Sequence, residues 1–167
     1  MDLPVRKHTR VRGYDYSQPG MYYVTICTHD RALLFGEVHE NGVRLSDAGE
    51  IARLCWDEIP THYPGVVIDA FVVMPNHVHG ILDLTQRSAG SGQGGRMPAL
   101  GSIVGSFKSA VSSRVNTLRN TPGTTIWQRG FHDRVIRTDE ELFKVRKYIA
   151  ENPLAWHLDR ENPNTWR

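Results

Sequence analysis

The chain has 167 residues, 40% of them hydrophobic, and carries 20 Lys and Arg against 18 Asp and Glu, a formal net charge of +2. That length suits one compact domain with a real core and is short for two, so a single domain over 1–167 is expected. No apolar run approaches the roughly 18 residues that cross a bilayer, and "MDLPVRKHTRVRGYDYS" lacks the apolar stretch of a secretory signal, so a cytoplasmic protein without a membrane partner is expected.

A basic arm, residues 1–12, holds Arg6, Lys7, Arg10 and Arg12. Behind it, "MYYVTICTH" (21–29) is dense in aromatic and β-branched residues and predicts a strand. A short hairpin follows in "FGEVHENGVRLS", where Asn41-Gly42 signals a turn between apolar flanks. "SDAGEIARLCWDEIP" opens on a capping residue, Ser46, spaces Ile51, Leu54, Cys55 and Ile59 as a helix does, and stops at Pro60. "VVIDAFVVM" (66–74) and "HVHGILDL" (77–84) read as two strands turned at Pro75-Asn76.

The Gly- and Ser-rich stretch 85–98 predicts a mobile surface loop. Next, "ALGSIVGSFKSAVSSRVNTL" sets Ile103, Val104, Phe107, Val111, Val115 and Leu118 at helical steps, with Lys108 and Arg114 on the outer face. "FHDRVIRT" (131–138) predicts a last strand, and Thr138 with Glu141 forms a T-x-x-E box opening a helix that ends before Pro153. Strands from both ends of the chain must share a sheet. The expected fold is therefore α+β, a ferredoxin-like (RRM-like) palm with a mostly antiparallel sheet and helices packed on it. Cys27 and Cys55 lie in apolar patterns and read as reduced core residues.

Charge is unevenly spread: residues 1–100 hold 9 Lys and Arg against 11 Asp and Glu, whereas 101–147 hold 9 against 4. The basic second half favours a polyanionic partner.

The chemistry-bearing stretch is "VVMPNHVHGIL" (72–82). Side chains alternate along a strand, so His77 and His79 point the same way, about 7 Å apart, and can converge on one ion. Their face continues to Ile81 and Asp83, while Val78, Gly80 and Leu82 face the core. An H-x-H pair alone is weak evidence, and two half-buried surface histidines is its commoner meaning. On the last helix, Tyr148 and Asn152 stand four residues apart on one face, with Tyr148 at the margin of the stripe Leu142, Val145 and Ile149. Taken singly, Tyr148 reads as a boundary tyrosine and Asn152 as a helix-ending residue.

Together, "PNHVHG", "GFHDRVIR" and "YIAENP", with "YYVTICTHDRALLF" near the start, resemble the HUH single-tyrosine transposases of small insertion sequences, most closely the branch associated with repetitive extragenic palindromes (REP). The resemblance covers about residues 12–156. It implies an endonuclease and strand transferase acting on single-stranded DNA with hairpin or palindromic ends. It implies His77, His79 and Asn152 as ligands of Mg²⁺ or Mn²⁺, Tyr148 as the nucleophile, and a 5′-phosphotyrosine intermediate. Such a ligand set is neutral and needs no carboxylate, leaving the full charge of the ion to help a phenol whose reference pKa of about 10 is too high for neutral pH. One tyrosine makes two cleavages only with two subunits, as in a homodimer, or in two rounds. Lys108, Arg114, Arg129, Arg134, Arg137, Arg146 and Lys147, with Arg10 and Arg12 of the arm, are the candidate DNA contacts, and Trp127 or Phe131 could stack on a base. Two alternatives stand beside this: a non-catalytic module that binds structured DNA, and a zinc hydrolase using His77, His79 and His132.

Overall fold

A computed structural model describes residues 14–16, 18–85 and 98–166. Arg10, Arg12 and nearly all of the Gly/Ser loop fall outside the described residues. Four strands, β1 (Met21–Cys27), β4 (Val67–Met74), β5 (His77–Asp83) and β6 (His132–Ile136), form one sheet in the order β4-β5-β1-β6 with every neighbour antiparallel. β2 (Gly36–His39) and β3 (Gly42–Leu45) form a separate hairpin turned at Glu40-Asn41, one residue before the expected Asn41-Gly42, because Gly42 already pairs with His39. The helices are α1 (Asp47–Asp57), α2 (Ile59–His62), α3 (Leu100–Arg119) and α4 (Asp139–Glu151). The architecture is α+β, an antiparallel sheet with helices packed on it.

Ser46 caps α1 by accepting from the Gly49 amide at 3.1 Å. The buried stripe of α1 is Ala48, Ala52, Cys55 and Trp56; Leu54, expected inside, is 46% exposed. Pro60 does not end α1, which stops three residues earlier; it sits in the first turn of α2, where a missing amide costs nothing. Cys27 and Cys55 are free and buried.

The sheet separates two apolar clusters. On one face Tyr22, Val24, Ile26, Val78 and Leu82 pack against α1 and α3 in the main core. On the other, Ile81 and Ile136 meet Val145 and Ile149 of α4 in a smaller one. Helices therefore cover both faces, and β5, paired on both edges, is buried on both sides. The half-buried surface pair that an isolated H-x-H commonly means is not what forms, because α4 and the segment after it cover that face.

Two ties set α4 in place. Thr138 accepts from the Glu141 amide at 3.1 Å, and the Glu141 carboxylate accepts from the Arg137 amide at 2.9 Å, one residue before the cap. A register shift in β4 between Ile68 and Ala70 turns out Asp69, which accepts both arms of the Arg146 guanidinium at 2.8 and 2.6 Å. That fork holds α4 against β4 two residues before Tyr148.

Gly80 is what lets α1 approach the sheet. A Cβ there would lie 2.2 Å from Trp56 Cζ2, and the indole is fully buried. Gly80→Ala should therefore destabilise the fold by about 3 kcal/mol, read from urea denaturation, and adding Trp56→Phe should recover part of the loss.

Candidate metal and nucleophile site

The Pro75-Asn76 turn delivers β5 with His77 and His79 on the α4 face, at 0% and 3% exposure. Their Nε2 atoms are 3.0 Å apart. His77 Nδ1 meets Asn76 Oδ1 at 2.8 Å, and His79 Nδ1 meets Tyr23 Oη and Thr25 Oγ1, both at 2.9 Å. Thr25 is the cross-strand partner of His79, so β1 places its hydroxyl by register alone. Burial drives both imidazoles well below their ordinary pKa, and each is neutral at pH 7.

The chain after α4 turns through Trp156–Leu158 and brings Asp159 to the pair. Asp159 is 6% exposed, and Oδ2 stands 3.7 Å from His77 Nε2. Its carboxylate accepts from the Asn152 side chain at 3.0 Å and from the Glu161 amide at 2.8 Å. Ligand atoms of His77, His79 and Asp159 all lie within 4.8 Å of one another, a cluster that could hold a metal ion.

The donor set fits a divalent cation. Adjacent ligands of an octahedral ion with bonds of about 2.1 Å stand about 3 Å apart, close to the separation of the two imidazole nitrogens. Asn152 Oδ1 is buried without a hydrogen-bond partner, an uncompensated acceptor beside the carboxylate. The anionic Asp159 departs from the neutral ligand set that the resemblance implies. Asn152 instead spends its amide nitrogen on that carboxylate.

Tyr148 rises from α4 over this cluster. Its ring meets that of His79 edge-on with centroids 5.3 Å apart, and it is 46% exposed. It faces an open cleft of about 540 Å³ lined by Tyr23, Thr25, His79, His132 and Asp159 among others. Burial raises its phenol pKa, and the Asp159 charge raises it further, while the Asn152 amide pulls it back. The phenol and the imidazole pair thus share one side of the sheet.

Other expected contacts are placed differently. His132 pairs with Thr25 on the same face but two strands from His79, about 10 Å at the usual strand spacing. It lines the cleft and is not part of the metal cluster, so the three-histidine set does not assemble. Arg114 forms a forked pair with Glu58, Lys108 donates to the carbonyls of Gln128 and Gly130, and Arg146 is held by Asp69. Arg134 pairs with Glu141 at the cleft, and Lys147 lies 3.9 Å from Glu151. Trp127 is 6% exposed, packed between Phe35 and Phe107, so it is a core residue and not a platform for a base.

The neutral histidine pair carries a pH signature. Unfolded, both rings take protons below about pH 6.5; folded, they resist them, so stability is full above that pH and falls as the pH drops through it. Urea midpoints of the metal-free protein should therefore decline from pH 7.5 to pH 5, with a shallower decline in His77→Gln.

No family model matches the sequence. An uncharacterised protein of Haemophilus influenzae, strain Rd, is 33% identical over 93% of this chain and 92% of its own. Among solved structures, a REP-associated tyrosine transposase bound to a REP hairpin superposes with a TM-score of 0.64 at 21% identity, over 90% of this chain and 76% of that one. A Deinococcus radiodurans R1 protein described as a putative transposase reaches a TM-score of 0.49 at 18% identity, over 85% of this chain and 95% of that one, too distant to argue from. The chain thus belongs to the family of the Haemophilus influenzae protein, and it has the fold of a REP-associated tyrosine transposase.

Proposed function

We propose that the chain is a transposase of the tyrosine type, a single-stranded DNA endonuclease and strand transferase that cuts near hairpin or palindromic ends through Tyr148. The observation that carries this reading is the Tyr148 ring resting edge-on against His79, above a buried cluster of His77, His79 and Asp159, at the floor of an open cleft. The transposase of the same fold is solved with a REP hairpin bound, which supports hairpin DNA as the partner here.

Tyr148 Oη attacks the scissile phosphorus, so a Tyr–O–P bond forms as the P–O3′ bond breaks. The phenolic proton passes to water in the open cleft, and the departing 3′ oxygen takes one from the same water to become a hydroxyl, so no net proton is gained or lost. The 5′ end stays on the enzyme as a phosphotyrosine, which keeps the bond energy for rejoining to a 3′-OH without ATP. His77, His79 and Asp159, with Asn152 Oδ1 as a fourth donor, would hold Mg²⁺ or Mn²⁺, which when bound polarises the phosphate and stabilises the charge that builds on it. Without that positive charge, burial and Asp159 both hold the phenol above its ordinary pKa. Tyr23 and Thr25 brace His79, and Arg134 stands at the cleft to meet the sugar-phosphate backbone. Arg129, Arg137 and Lys147, with Arg10 and Arg12 of the arm, extend the DNA contact, and Lys108, Arg114 and Arg146, which like Arg134 and Lys147 have partners within the chain, would add to it by exchanging those partners for phosphate. A homodimer would let two such tyrosines cut both ends.

The raised phenol pKa is the one observation that favours the alternative, a structured-DNA-binding module that no longer cuts. A labelled single-stranded hairpin oligonucleotide incubated with the protein and Mn²⁺ decides between them. The wild type should yield a denaturant-resistant adduct and Tyr148→Phe none, with hairpin binding retained in both. Hairpin binding without any wild-type adduct would leave only the binding module. Asp159→Asn should weaken Mn²⁺ binding at least about tenfold, measured by calorimetry; unchanged affinity would remove Asp159 from the ligand set.

A further inference from the structure

Asn76 takes no part in the chemistry above, yet it is 1% exposed and fully engaged. Its Nδ2 donates to the Glu161 carbonyl at 2.6 Å and to the Arg31 carbonyl at 3.3 Å. Those two acceptors settle which end of the amide is which, because turned over it would set Oδ1 against two carbonyl oxygens. Oδ1 therefore faces His77 Nδ1, 2.8 Å away. An amide oxygen only accepts, so the His77 proton sits on Nδ1 and Nε2 is bare.

That bare nitrogen lies 3.0 Å from His79 Nε2. Two lone pairs repel at such a distance, so His79 carries its proton on Nε2 and donates it to His77. His79 Nδ1 is then the acceptor, with the hydroxyls of Tyr23 and Thr25 as its donors, both at 2.9 Å. In this arrangement the two rings are opposite tautomers, and a cation can use the Nε2 of only one of them.

We propose that His77 is a ligand held ready by Asn76, whereas His79 is a latent ligand, recruited when its ring proton moves from Nε2 to Nδ1 and is received there by Thr25 and Tyr23. One N–H bond breaks and one forms through exchange with water in the cleft, and the ring stays neutral. Hydroxyls suit both states because they donate in one and accept in the other. A carboxylate, or an amide pinned as Asn76 is, would fix one tautomer in their place. Asn76 also ties His77 to the carbonyl of Glu161, two residues from Asp159, so one side chain orients a ligand and anchors the segment bearing another. This inference rests on the cluster taking a cation, not on what the cation is used for.

Ring ¹⁵N NMR of histidine-labelled protein at pH 7.5, titrated with Zn²⁺, tests it. Without metal, His77 should show Nδ1–H and His79 Nε2–H; with Zn²⁺, His77 should keep its tautomer while His79 converts to Nδ1–H. Metal-free His79 already in the Nδ1–H form, or Zn²⁺ binding with His79 unconverted, overturns the latent ligand and leaves the metal site standing. No Zn²⁺ binding at all overturns both. The Tyr23→Phe/Thr25→Val pair should weaken Zn²⁺ binding about 10–100-fold with the His77 tautomer unchanged. Asn76→Ala should let His77 populate both tautomers; should that variant not fold, the wild-type spectra alone still decide.

Discussion

Two imidazoles buried side by side at the start of a central strand are the constraint on which the rest of this molecule depends. Buried polar rings are tolerated only when hydrogen-bonded, and each partner comes from a different element. Asn76 at the β4–β5 turn serves His77; Tyr23 and Thr25 on β1 serve His79; Asp159, after α4, faces the gap between them. The antiparallel register of β1 with β5 sets Thr25 opposite His79, so moving one strand by a residue would orphan both the hydroxyl and the ring.

The sheet divides its two tasks between its faces. One face carries the deep core with α1 and α3, in which the Trp56 indole sits directly over Gly80. Among the described residues the other is covered by α4 and the segment behind it, and the small cluster around Ile149 leaves room for the cleft. A rigid backing on one side therefore holds a polar, partly open site on the other. Most proteins would fill such a gap with aliphatic side chains; here it holds donors and acceptors that bring no packing gain and conflict with one another at low pH.

Much of this was legible in the sequence. Strand and helix patterns and the Ser46 and Thr138 caps are local signals that the structure places as expected, and the hairpin turn falls one residue before Asn41-Gly42. The i, i+4 spacing of Tyr148 and Asn152 gave a shared face; Tyr148 meets the His79 ring, and Asn152 meets Asp159. Asp159 was not legible. It lies on an irregular segment without periodicity, and an acid among "HLDREN" looks like any solvated charge until the fold sets it beside His77 and the Asn152 amide. The burial of His77 was also hidden, because a strand pattern tells which residues share a face but not whether a distant helix will cover it. The pairing of the basic residues was hidden for a related reason: composition counts charges, while Arg114 and Arg146 show that their partners Glu58 and Asp69 come from elsewhere in the chain.

The account stands or falls on the phenol of the final helix reaching a cation held by the paired imidazoles. A crystal of the protein soaked in Mn²⁺, measured at the manganese absorption edge, locates that ion without reference to activity. The account predicts one anomalous peak within bonding distance of His77 Nε2, His79 Nε2 and the Asp159 carboxylate, with Tyr148 Oη on its open side. A peak elsewhere, or a chain whose Tyr148 turns away from an ion bound at the histidines, would contradict it.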